Sequence, residues 1–137
     1  MKLSILILTY NCEDTIIDCL RSITQQAFGS MLVIDNQSTD DTEKIVKANF
    51  AAVSFNKLKK NLGYAGGNNF GIEIALRSGA DSILVLNPDV ILLPQAIINL
   101  LKFAEKHDYK GVFGPKIYSD INRTLIWSAG GDLDILR

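Results

Sequence analysis

Residues 3–9 read LSILILT and residues 82–86 read SILVL. A strand wetted on one face alternates apolar with polar residues, whereas a strand buried on both faces is apolar almost throughout, as parallel sheets require. Ser4 is the only break in the first run, so a buried parallel sheet is the starting expectation. Working outward, residues 15–26 put Ile16, Ile17, Leu20 and Ile23 at helical spacing, with Phe28 and Gly29 closing the helix. Residues 31–35 make a second strand, and residues 38–41 (STDD) offer N-cap candidates and acidic first-turn residues for a helix to about residue 50. A strand at 53–56, a helix at 67–78 ended by Gly79, and a helix from Pro94 to about His107 follow. Residues 113–118 and 124–129 read as further strands. The pattern predicts an α/β three-layer sandwich with a mainly parallel sheet, built as one domain over residues 1–137.

Composition narrows the function classes. The chain has 137 residues, 47% of them apolar, and a net charge of −1. A sizeable core can form, and no basic stripe exists for phosphate backbones, so nucleic acid is not expected as a partner. The longest apolar runs, such as 5–8 and 90–93, fall far short of the ~20 residues that span a bilayer. The opening MKLSILILTYN lacks the small-residue cleavage site of a signal peptide and reads as a strand. Cys12 and Cys19 match neither a disulfide framework nor a C-x-x-C motif, and a reduced, cytoplasmic chain is expected.

In open parallel sheets ligands gather at the carboxyl ends of the strands. Four polar loops fall there: Tyr10-Asn11-Cys12, Asp35-Asn36-Gln37-Ser38, residues 56–69, and Asn87-Pro88-Asp89. Residues 61–71, NLGYAGGNNFG, are neither a dinucleotide fingerprint nor a P-loop, because Gly63, Gly66, Gly67 and Gly71 have the wrong spacing and no G-K-[ST] is present. They read as a flexible turn feeding a helix N-terminus, where free N–H groups suit an anion or polar ligand; taken alone, such a loop needs only positive φ angles. Asp89 follows an apolar strand, so its carboxylate can hold Mg²⁺ or Mn²⁺ completed by substrate phosphates, although Asn-Pro-Asp is also ordinary turn chemistry. Asp35 and Asn36 end a strand, where a carboxylate or amide can accept the imide N–H of uracil or thymine; Ser38 to Asp41 read first as a helix cap.

Taken together, TYN, VIDNQSTDDT, NLGYAGGNNFGI and LVLNPDVILLP, in that order, resemble the N-terminal half of family 2 glycosyltransferases, which have the GT-A fold. GPKIY followed by SAGGD is most similar to the rhamnosyltransferase branch. The resemblance covers the chain from about Leu3 and implies an inverting transferase that binds a nucleoside-diphosphate sugar of the dTDP-rhamnose or UDP-sugar type. The implied acceptor is a saccharide or lipid-linked molecule, in cell-surface polysaccharide assembly at the cytoplasmic face of the membrane. By position, Thr9, Tyr10 and Asn11 would line the nucleoside pocket, with Asp35 and Asn36 near the base. Asn69 and the Gly66-Gly67 turn would lie beside the nucleotide or diphosphate, with Asn87 and Asp89 in the place of the D-x-D motif and Asp89 its metal-binding carboxylate. Two departures stand out: Asn36 where many members carry a second aspartate, and Asn87 for the motif's leading aspartate. The family's general base lies downstream of the acceptor region, so the resemblance implies a C-terminally incomplete domain without that residue; Asp132 and Asp134 are not assigned the role.

Two other functions are weighed. A sugar nucleotidyltransferase would carry G-x-G-x-R after the first strand, which is absent here. A non-catalytic donor-binding or self-associating module, such as a homodimer, would bind nucleotide without turnover. His107, beside Lys106 and Asp108, reads as a solvated helix end, and Trp127 as a core or interface residue as readily as a sugar platform. Ile97, Ile98, Leu101 and Ala104 read as a packing face, and Lys57, Lys59 and Lys60 as a solvated basic cluster.

Overall fold

The computed structural model describes residues 1–26, 29–119 and 122–130. Phe28, expected to close the first helix, and Asp132 and Asp134 lie outside them. The chain divides into two compact units, Met1–Pro94 and Gln95–Arg137.

The first unit alternates strand and helix in chain order: β1 (Leu3–Thr9), α1 (Ile16–Thr24), β2 (Ser30–Asp35), α2 (Thr42–Asn49), β3 (Ser54–Lys57), α3 (Gly63–Arg77) and β4 (Ser82–Leu86). The sheet order is β3-β2-β1-β4, with every pairing parallel. Because β1 and β2 are the central strands, their side chains are covered on both faces, and all seven residues of β1 are buried. Order and handedness together place the helices. The chain moves one way from β1 to β3 and then returns across the sheet to β4, so right-handed crossovers put α1 and α2 on one face and α3 on the other. In keeping with this, α1 touches α2, and α3 lies over β1 and β2. The α3 face holds Leu6, Leu8, Leu32, Ile34 and Leu58, with Ile72, Ile74 and Ile83 packed against them.

The glycine-rich stretch departs from its expected form. It is the first half of α3, not a loop, and the helix begins at Gly63 instead of residue 67. Gly63 itself has φ +70°, a left-handed opening that suits glycine. Further along, a Cβ at Gly67 would collide with Leu8 Cδ1, and one at Gly71 with Leu6 Cδ1 and Ile34 Cγ1. Gly67 and Gly71 leave the space that the Leu8, Leu6 and Ile34 side chains fill, so α3 packs closely against the side chains of β1 and β2. The helix ends as its Gly79 predicts: φ is +80°, Gly79 N donates to Leu76 O at 2.9 Å, and Ala80 N donates to Ala75 O at 3.1 Å, the paired bonds of a Schellman cap.

Other boundaries shift as well. α1 starts at Ile16 and ends at Thr24, and α2 starts at Thr42, later than STDD suggested. Ser38 does not cap α2, because its hydroxyl and its amide both bond Asp35. Asp41 is the N-cap residue, without a side-chain cap bond, and the preceding Asp40 accepts from Thr42 N at 3.1 Å through its Oδ1.

In the second unit, α4 (Ala96–Glu105) starts after Pro94, with Gln95 as N-cap at φ 65°. The two expected strands shrink to β5 (Ile117–Tyr118) and β6 (Ile126–Ser128), an antiparallel pair of their own. Ile97 and Ala104 are buried, while Ile98 and Trp127 are exposed, so neither of the last two is a core residue. His107 lies beyond the helix end, its ring 4.8 Å from Phe103 and 5.9 Å from Phe113. Among the described residues no helix is long and apolar enough to cross a membrane.

Candidate functional site

At the carboxyl ends of the parallel strands a cavity of about 580 Å³ opens, entirely within the first unit. All four polar loops contribute to it. β1 delivers Thr9, Tyr10 and Asn11; the end of β2 delivers Asn36; the start of α3 delivers Asn61, Gly63 and Tyr64; the turn after β4 delivers Asn87, Pro88 and Asp89. Asp35, Gly66, Gly67 and Asn69 are not among its lining residues. Gly66 and Gly67 sit inside α3, Asn69 is exposed on that helix, and its neighbour Asn68 is the buried amide, donating to Tyr64 O at 3.0 Å with an Oδ1 that finds no partner among the described residues.

Asp35 is wholly enclosed, at 0% exposure. Thr9 Oγ1 donates to its Oδ1 at 3.0 Å, Ser38 N donates to its Oδ2 at 3.0 Å, the Ser38 hydroxyl adds a third bond, and Lys57 Nζ stands 4.0 Å away. A buried carboxylate must have its lone pairs filled, and here the neighbouring loop fills them. Asp35 therefore organises the strand ends from behind the cavity wall.

A seam of side-chain-to-backbone bonds joins the loops after β1 and β2. Asn11 N donates to Ser38 Oγ at 2.9 Å, Thr39 N to Asn11 Oδ1 at 2.8 Å, and Cys12 N to Thr42 Oγ1 at 3.0 Å. Glu13 N donates to Asp40 Oδ2 at 3.1 Å, and Asp41 N returns the exchange to Glu13 Oε2 at 2.8 Å. Asn11 adopts φ 48° to reach across, a conformation asparagine tolerates. Burial pushes the Asp40 carboxyl up, but the hydrogen bonds from Thr42 and from the Glu13 amide outweigh it and leave the group below its ordinary value.

The next seam fastens β2 to α3. Leu62 N donates to Asn36 Oδ1 at 2.8 Å, and Asn36 Nδ2 donates to Gly63 O at 3.2 Å and to Asn61 Oδ1 at 2.8 Å. Gln37, at φ 69°, braces the same segment, its Oε1 accepting from Asn61 N and its Nε2 donating to Lys59 O, both at 3.2 Å. Asn36 is only 3% exposed, and both ends of its amide are engaged.

On the far side, Tyr64 Oη donates to Asn87 Oδ1 at 3.3 Å, linking the start of α3 to the turn after β4. Cys19 Sγ holds Asn87 O from behind at 3.6 Å. Burial pushes the Cys12 thiol up to about 11 and the Cys19 thiol up to about 12, so both stay protonated at neutral pH and offer no thiolate ligand. The charged lining residues are Asp14 and Asp89, with no lysine or arginine. No group of three His, Cys, Asp or Glu that could hold a metal ion occurs among the described residues. A diphosphate in this cavity would thus meet carboxylates without a protein cation, a donor set that suits a divalent ion completed by phosphate oxygens. Sequence reasoning passed over Asn61, Tyr64 and Asp14. N-L-G-Y falls in the 56–69 loop at the carboxyl edge of the sheet, but with a helix start expected at residue 67 nothing singles out Asn61 or Tyr64 within it.

The glycosyl transferase family 2 model matches residues 4–133. The chain belongs to glycosyl transferase family 2. Among the relatives of this family 2 chain, an uncharacterized glycosyltransferase of Mycoplasma pneumoniae is 37% identical over 116 residues, covering 80% of this chain and 38% of that protein. The low-salt glycan biosynthesis hexosyltransferase Agl10 of Haloferax volcanii is 30% identical over 116 residues, covering 84% of this chain and 36% of that protein. The chain thus spans well under half the length of these curated relatives. Its fold is shared with S. aureus TarS: the TarS structure with UDP gives a TM-score of 0.68 at 21% identity, covering 88% of this chain and 40% of that one. TarS has also been solved in complex with UDP-GlcNAc, with a TM-score of 0.67 at 22% identity, covering 88% of this chain and 39% of that one.

Proposed function

We infer that this chain is the donor-binding part of a glycosyltransferase, and that the cavity at the carboxyl ends of β1, β2 and β4 takes a nucleoside-diphosphate sugar. The observation that carries this reading is the convergence of Thr9, Asn36, Asn61, Asn87 and Asp89, drawn from four separate segments, on one polar cavity. Family membership supplies the reaction class, and the complexes of TarS with UDP and UDP-GlcNAc support a uridine-type donor. A rhamnosyl donor carried on dTDP, suggested by the GPKIY and SAGGD segments, is the closest alternative within the same chemistry.

In this reading the nucleoside lies against Tyr10, Asn11 and the Asn36–Asn61 pair, and the diphosphate points toward Asp89. Exposed Tyr10 and Tyr64 offer aromatic faces on which a base or sugar can stack. Asp89 would hold Mg²⁺ or Mn²⁺ together with the diphosphate oxygens, and such an ion, when bound, neutralises charge on the departing nucleoside diphosphate. Asn87, fixed by Tyr64 and Cys19, sets the turn that carries Asp89. Transfer to a saccharide or lipid-linked acceptor completes the proposal.

The test is calorimetric titration of the 137-residue chain with UDP, UDP-GlcNAc and dTDP-rhamnose in the presence of Mn²⁺. Saturable binding is expected, and Asp89→Ala should weaken it at least about tenfold, the scale of a lost charge-assisted contact. Absence of binding by the parent chain, or equal affinity in the variant, would discard the assignment of Asp89.

A further inference from the structure

We propose that Asn61 selects the nucleobase, and that it does so purely as a hydrogen-bond donor to the base's 4-position. The inference rests on the nucleotide-sugar reading of the cavity and adds to it a specificity residue and a fixed polarity.

The polarity follows from backbone groups whose direction is not in question. Leu62 N–H must meet an acceptor, so the Asn36 atom 2.8 Å from it is Oδ1, and the Asn36 NH₂ faces Gly63 O and Asn61. Asn61 in turn receives that NH₂ at 2.8 Å and Gly63 N–H at 2.7 Å on a single atom, which must be its own Oδ1. Both lone pairs of that oxygen are then filled. The remaining atom, Nδ2, carries two N–H donors, meets no acceptor among the described residues, and belongs to a side chain on the cavity wall.

Turning the Asn61 amide over would set its NH₂ against two other donors and break both bonds, leaving buried Asn36 without a partner for one of its hydrogens. Gln37 Oε1 accepts from the Asn61 backbone N–H at 3.2 Å, which holds the main chain that carries this side chain. Asn61 therefore offers donors and no acceptor. Uracil and thymine present a carbonyl oxygen at C4 and satisfy it; cytosine presents an amino group there and opposes it. A site that hydrogen-bonds one partner and confronts the other with a like group discriminates far better than one relying on shape.

The experiment uses the same chain and measures the ratio of UDP to CDP affinity with Mn²⁺ for the parent, Asn61→Asp and Asn61→Ala. Asn61→Asp keeps one oxygen for Asn36 Nδ2 and Gly63 N–H while presenting an acceptor to the cavity. The added charge affects both nucleotides alike, so the ratio is the informative quantity. The parent should favour UDP by about tenfold or more, Asn61→Asp should favour CDP, and Asn61→Ala should bring the ratio near one. Nucleotide binding with a UDP to CDP ratio that does not move in Asn61→Asp and Asn61→Ala overturns the role of Asn61 while leaving the cavity's function standing. A parent chain that binds neither nucleotide overturns both. Thermal unfolding of each variant checks that the seam is intact, and if Asn61→Asp fails to fold, the parent and Asn61→Ala ratios decide alone.

Discussion

Asp35 and Asn36 sit next to each other at the end of β2 and divide two tasks that the sequence assigned to both. Asp35 is sealed behind Thr9 and Ser38, while Asn36 reaches the cavity with its amide already bonded to the start of α3. Replacing Asp35 by asparagine keeps the shape but turns one acceptor into a donor facing Ser38 N–H or the hydroxyls of Thr9 and Ser38. At least one buried donor then loses its partner, and Asp35→Asn should destabilise the chain by about 1–3 kcal/mol. Urea unfolding at neutral pH measures this; an unchanged midpoint would mean that Asp35 is not the internal anchor described here.

At the scale of elements, α3 decides how close the cavity-facing edge can come to the sheet. A glycine inside a helix costs about 1 kcal/mol relative to alanine, and α3 carries Gly66, Gly67 and Gly71 in its interior. The loss is offset by the close packing of α3 on the Leu6, Leu8 and Ile34 side chains at Gly67 and Gly71. Gly71→Ala sets the two effects against each other, since the alanine gains about 1 kcal/mol in helix propensity but must displace Leu6 and Ile34, an overpacking that costs about 1–3 kcal/mol. Net destabilisation of about 1 kcal/mol is expected in chemical denaturation. A stabilised variant would show that α3 can lift from the sheet freely. That helix could not have been bounded from sequence, because its start looks like a loop to any rule based on propensity; only the neighbouring strands explain the glycines.

For the molecule as a whole, acid and base stability share one cluster on α2 and β3. Hydrogen bonds first from Lys47 and then from Lys57 hold the Glu43 carboxyl below its ordinary value, and the Glu43 carboxylate holds Lys57 above its own. A depressed carboxyl contributes stability that is present above its unfolded value and lost as pH falls through the folded one. A raised ammonium contributes below its unfolded value and is lost as pH rises through the folded one. Asp40, also lowered, adds to the acid limb. Stability should hold across neutral pH and fall below about 4 and above about 10.5. Because these groups lie at the surface, the changes are small, and Glu43→Gln should flatten both limbs in urea midpoints measured from pH 3 to 11. A variant with the parent's profile would remove the cluster from the account.

The parallel sheet, its strand sequence and the location of the four polar loops were legible in the chain itself, because LSILILT has no polar face to show to water and strand-helix alternation permits few topologies; SILVL reads as equally buried, yet as the edge strand β4 it buries only Leu86. Asp89 and Thr9 could likewise be read from their places at strand ends. What tertiary structure alone decided was which polar atoms remain free at the cavity. Asp35, Asn36 and Asn61 are all capable of reading a base, and nothing local distinguishes them. The distinction arises because the Leu62 N–H and the Gly63 carbonyl, 26 and 27 residues away along the chain, occupy Asn36, and the Asn36 NH₂ with the Gly63 N–H then fixes the amide of Asn61. Hydrogen-bond capacity belongs to a residue type, but its availability belongs to the packed surroundings.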